Sequence, residues 1–159
     1  MIDKTYTKFE IAVKQLETAV ILFLNGKSRS SVITLAGAAG NILSQLVRNS
    51  GQEPFIDYAC RVHNEISGFT PPRQKYNYYI DRKLGITDHK HMSDEDPEYV
   101  KLDLDRSAAD SLIRALSDYI TLNGKEDNFV KAFFSWAWKN MDGQMVMEDY
   151  KNISKKLKK

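Results

Sequence analysis

Residues 4–24 read KTYTKFEIAVKQLETAVILFL. Phe9, Ala12, Val13, Leu16, Ala19, Val20 and Phe23 recur at three- and four-residue intervals, so one stripe of an α-helix is apolar and must be buried. Asn25-Gly26 ends the pattern, because glycine takes the left-handed backbone that closes many helices. The same rhythm then resumes. A serine among Ser28, Ser30 and Ser31 caps a second helix running to about Asn49 through Val32, Leu35, Ala36, Ala39, Ile42, Leu43 and Leu46. Its Gly37 and Gly40 each cost about 1 kcal/mol against alanine, which points to another helix passing close to them.

Residues 54–67 form a third helical pattern through Phe55, Ala59, Val62 and Ile66, and Gly68 to Pro72 interrupts it. Pro72 opens a fourth helix that aligns Tyr76, Ile80 and Leu84, with Tyr79 beside them, and closes at Gly85. Residues 86–104 lose the helical period. There Val100, Leu102 and Leu104 alternate with polar residues, as in an extended segment laid across a bundle. Ser107-x-x-Asp110 resembles a capping box for a fifth helix that buries Leu112, Ala115, Leu116 and Tyr119 and ends at Gly124.

Residues 126–139 place Phe129, Val130, Phe133, Phe134, Trp136, Ala137 and Trp138 around nearly the whole circumference of a helix. Such a helix is either central to the bundle or partly covered by a second subunit. A short last helix over about 144–157 uses Met145, Tyr150, Ile153 and Leu157. The fold expected is therefore all-α: a single-domain bundle of six or seven helices, with one irregular segment near 86–104. A homodimer through the aromatic helix follows from its excess of apolar surface.

Composition agrees with this. The 159 residues suit one domain, and 42% hydrophobic with 28% charged residues is ordinary for a globular chain. Cys60 stands alone, which excludes an internal disulfide and fits a reducing compartment. The N-terminus lacks the residue order of a secretory signal, and the longest apolar run is Ala19 to Leu24. No membrane span and a cytoplasmic location are expected, which makes the sequon Asn152-Ile153-Ser154 meaningless. Five lysines in residues 151–159 account for the net charge of +2, since 18 basic residues then face 21 acidic ones elsewhere. This lysine-rich tail is read as a solvated end.

Several chemical signals dissolve on inspection. Gly26-Lys27-Ser28 imitates a P-loop, but Ile21 stands where its first glycine belongs and a helix leads into it. His63 on the third helix fits a hydrogen-bonded structural role, Glu65 could join it in a site only if another helix supplied more groups, and Cys60 fits a buried thiol. No cofactor is expected. Asp88-His89-Lys90-His91, followed by Asp94, Glu95 and Asp96, is different. His-x-His with a carboxylate could hold a divalent metal, though no third imidazole accompanies it. His89 or His91 could act as acid and base with Lys90 or Arg82 on a phosphoryl group. The third reading is a solvated polar loop. From Arg73 to His91 five basic residues are interleaved with Tyr76, Tyr78 and Tyr79, the pattern that single-stranded RNA or a nucleotide would use. Tyr76 and Tyr79 fall on the face expected to be buried, which leaves Tyr78 to stack beside Lys75 and Arg82.

Leu35-Ala36-Gly37-Ala38-Ala39, then Lys90-His91 ahead of Asp96-Pro97, and then Phe133-Phe134-Ser135-Trp136 resemble landmarks of an uncharacterised group of small bacterial helical proteins. The likeness spans about residues 8–140. That group in turn is similar to the HEPN superfamily (higher eukaryotes and prokaryotes nucleotide-binding), whose members are helical, often dimeric, and in many cases metal-independent ribonucleases. Their motif is an arginine, four to six residues, and a histidine. Two alignments are open here. Arg82 pairs with His89 across six residues, with Lys83 where a polar residue usually follows and Gly85 interrupting the helix. Alternatively His91 takes the histidine position with four residues between, and Ile86 stands where the arginine belongs. The resemblance implies a helical binding or regulatory module without robust catalysis, or else an endoribonuclease using a His/Arg pair.

Overall fold

The computed structural model describes residues 3–141. Six α-helices follow one another among them: α1 (Lys8–Leu24), α2 (Arg29–Asn49), α3 (Phe55–Ser67), α4 (Arg73–Lys83), α5 (Leu104–Asn123) and α6 (Asn128–Asn140). The helix expected over 144–157, the lysine-rich residues 151–159 and the sequon lie outside the described residues.

Local chemistry sets the helix starts. Thr7 accepts from the Glu10 amide at 3.1 Å while the Glu10 carboxylate accepts from the Thr7 amide at 2.7 Å, a reciprocal capping box that begins α1. Ser28 is the serine that caps α2, accepting from the Ser31 amide. The cap of α5 departs from the expectation. Asp103, not Ser107, accepts from the Arg106 amide at 3.0 Å, so α5 begins at Leu104 and Ser107 is buried inside its first turns. The segment without helix ends there.

The core is a three-helix sheaf in which α2 packs along both α1 and α5. Leu16, Val20, Val32, Ile33, Leu43, Leu112 and Leu116 are fully buried in it. The two glycines of α2 serve different neighbours. A Cβ on Gly40 would meet the Ala115 Cβ of α5 at 3.5 Å, the close helix approach that the sequence suggests. Gly37 instead makes room for Ile86, from the irregular segment, whose Cγ2 lies 2.5 Å from where a Cβ would sit. By length and apolar composition α2 could cross a membrane, yet half of that stretch is buried within the bundle as a core helix would be.

The other helices are peripheral. α6 lies on α1, with the Phe23 ring packed edge-on against Trp136 at 4.5 Å and tilted against Phe133 at 5.8 Å. It is therefore not central: Val130 and Phe133 are buried, whereas Trp138 is 66% exposed. α3 and α4 sit outside the sheaf, with Ile56 and Tyr76 as their buried residues.

Candidate functional site

Arg82, His89, Lys90 and His91 all lie where α4 gives way to a tight turn. Gly85 has φ +74, its amide donates to the Arg82 carbonyl at 2.9 Å, and the Ile86 amide donates to the Asp81 carbonyl at 2.8 Å. This paired pattern closes a helix with glycine at its left-handed position. It turns Ile86 inward, where 2% exposure and the Gly37 notch fix the turn against α2. Leu102, from the irregular segment, packs directly over Gly85.

The four residues then diverge. Arg82 donates to the Tyr78 hydroxyl at 3.1 Å and lies 3.4 Å from both Asp88 and Asp96. Asp96 is itself held by the Ser93 amide and hydroxyl at 2.8 and 2.9 Å, and that amide first of all keeps its carboxyl below the usual carboxylate range. His89 is half-buried and bonds the Gly85 carbonyl through Nδ1 at 2.7 Å. That bond assigns the proton to Nδ1 and leaves Nε2 as the basic nitrogen. His89 lines a groove of ≈ 330 Å³ with Asp88, Glu98, Val100, Leu102 and Leu104. Lys90 is half-buried, and burial first of all pushes its ammonium below the ordinary lysine value, with the Asp81 and Arg114 charges as lesser influences. His91 is exposed.

Asp88 thus brings Arg82 and His89 into one neighbourhood, while Lys90 and His91 belong to different surroundings. Each HEPN alignment meets an obstacle. In the first, Arg82 is committed to two carboxylates and sits on a different element from His89. In the second, the arginine position is Ile86, a core plug. Among the described residues no three His, Cys, Asp or Glu side chains converge to hold a metal ion. His63 bonds the Thr70 hydroxyl at 3.1 Å. Half-buried Cys60, its thiol pushed up by burial, lines a groove of ≈ 520 Å³ with Asp57, Arg61 and Arg73.

Two features escaped the sequence reading. Ser107, Ser111, Arg114 and Asp118 make a buried polar stripe along α5. Arg114, 4% exposed, pairs with Asp81 and donates to Asn77 at 2.8 Å, and Asp118 accepts from the Phe55 amide at 2.7 Å to cap α3. The signal was present: polar residues spaced four, three and four apart on a helix whose opposite face is also apolar. Second, Tyr79 is 54% exposed rather than buried, beside Tyr78 at 55%. Asp81 pairs with Arg114, and the outer face of α4 is Lys75, Tyr78, Tyr79, Arg82 and Lys83, at i, i+3, i+4, i+7 and i+8. Lys75 and Lys83 make no ion pair among the described residues.

Compared with protein-family models, with curated proteins and with solved structures, the chain gives no match.

Proposed function

We propose that this protein is a non-catalytic, HEPN-like helical module that binds single-stranded nucleic acid on the outer face of α4. The observation that carries the reading is the composition of that face: two lysines without an ion pair among the described residues, two exposed tyrosines and no acid. Lysines meet phosphates, and tyrosine rings offer a surface on which any base stacks. Catalysis is not favoured because Arg82, the cation a cleavage site would aim at phosphate, already faces Asp88 and Asp96.

Fluorescence anisotropy with a labelled oligouridylate tests the reading. Replacing Tyr78 and Tyr79 together by alanine should weaken binding about tenfold or more, given about 1–3 kcal/mol per stacked base. Lys75→Gln/Lys83→Gln should weaken it and flatten its salt dependence. Unchanged affinity in both variants would remove α4 as the binding face.

A specific observation keeps the endoribonuclease as a second reading: the Gly85 carbonyl occupies Nδ1 of His89, so Nε2 is the nitrogen that could meet a substrate. Incubation with a mixed RNA pool, with and without EDTA, beside His89→Ala/His91→Ala decides it. Cleavage that survives EDTA and vanishes in the variant supports the nuclease; intact RNA in both sinks it. A free cysteine and the absence of a disulfide support a cytoplasmic location, and the exposed Phe134 and Trp138 support a homodimer through α6.

A further inference from the structure

Resting on the nucleic-acid reading of α4, we propose that Asp88 and Asp96 form an internal phosphate mimic that occupies Arg82, so nucleic acid must displace them before that cation joins the binding face. Among the described residues, Arg82 is the one member of the α4 outer stripe that carries ion pairs. Its Nη2 lies 3.4 Å from Asp88 Oδ1 and its Nη1 lies 3.4 Å from Asp96 Oδ1. The two carboxylates reach the guanidinium from separate places in the chain, one in the turn after α4 and one in the acidic segment beyond it. Two carboxylate oxygens on two terminal nitrogens present the guanidinium with what a bridging phosphate would offer it.

The carboxylates are held for this role. Asp88 is only 15% exposed in its side chain, and Asp96 is 24% exposed and tethered to Ser93 through both amide and hydroxyl. By contrast Asp94 and Glu95, the other acids of the segment, are exposed. The contacts at 3.4 Å are longer than good charge-assisted hydrogen bonds of about 2.7–2.9 Å, so a phosphate at closer range competes successfully. Tyr78 gives the displacement a direct route to the ligand: its hydroxyl already accepts from Arg82, so a base stacking on that ring would bring its phosphate beside the guanidinium.

The test compares oligouridylate binding by the full chain, by Asp88→Asn/Asp96→Asn, and by a charge-matched control, Asp94→Asn/Glu95→Gln. Removing the mimic should tighten binding about three- to tenfold, as befits partly exposed pairs at long range, and should steepen the salt dependence by about one released counterion. The gain should disappear when Arg82→Gln is added. Equal gains in the control, or a gain that survives the loss of Arg82, would mean that bulk charge alone is responsible and would overturn the proposal.

A second readout needs no nucleic acid. The rate at which phenylglyoxal modifies Arg82, followed by peptide mass spectrometry, should rise in Asp88→Asn/Asp96→Asn and not in the control. If no protein binds oligouridylate but Arg82 becomes more reactive, the nucleic-acid reading falls and the clamp stands. If reactivity is unchanged in a variant with native circular dichroism, the clamp falls whatever the binding shows.

Discussion

Gly37 and Gly40 lie one helical turn apart in α2, and alanine should have opposite effects at the two. A methyl at position 40 would touch Ala115 at an ordinary 3.5 Å, so Gly40→Ala should keep the helix-propensity gain of up to about 1 kcal/mol. At position 37 the new Cβ would stand 2.5 Å from Cγ2 of Ile86, a side chain with no free space to enter. Gly37→Ala should therefore destabilise by about 1–3 kcal/mol in urea unfolding. Adding Ile86→Ala should cost less than the sum of the two single changes, because the clash goes with the side chain. The sequence identified both glycines as close-approach sites. It could not tell them apart, because Ile86 reaches Gly37 from a segment without periodicity.

Helix starts and stops were legible where the capping residue lies beside the helix. Ser28 before α2 and Gly85 after α4 are such cases, and the Thr7–Glu10 box could have been read the same way. α3 was legible as a helix but not in how it begins. Its start at Pro54 has no local side-chain cap, and Asp118, 63 positions later, accepts the Phe55 amide instead. The end of α5 shows a similar clasp. Tyr119 donates to Asp127, just before α6, and Asn123 donates to the same carboxylate at 3.0 Å. Burial, then the Asp127 carboxylate, pushes the Tyr119 phenol up to about 12 from an ordinary value of 10.0. The unfolded chain loses this proton first as pH rises. The clasp is thus at full strength below about pH 10, and stability declines between about pH 10 and 12 by about 1.4 kcal/mol per unit at most. Urea midpoints measured across that range should fall more steeply for the native chain than for Tyr119→Phe. Equal slopes would show that the phenol does not report the clasp.

The whole molecule leaves α6 with a row of unburied aromatics. Phe134 is 39% and Trp138 66% exposed, one turn apart, while Phe133, just before them, is fully buried. Sedimentation should detect a dimer, and Trp138→Glu should shift it to monomer without loss of helical signal. A native chain that sediments as a monomer at high concentration would remove the dimer reading. The candidate site is also a whole-molecule property. Asp81, off the outer stripe by helical register, pairs with Arg114 of α5, so the outer face is basic and aromatic.

The sequence by itself determined the helical class, all six described helices to within a few residues, and the irregular segment near 86–104. These are consequences of period and punctuation, which act between neighbours in the chain. It also brought Arg82, His89, Lys90 and His91 forward as candidates. Only the tertiary structure decided that Arg82 meets Asp88 and Asp96, that Lys90 is half-buried, and that Tyr79 faces out. Each of those outcomes depends on where a side chain far along the chain, or beyond a turn, comes to rest. The packing of Ile86 into Gly37 and of Arg114 against Asp81 sets those positions, and helical periodicity cannot report contacts between separate elements.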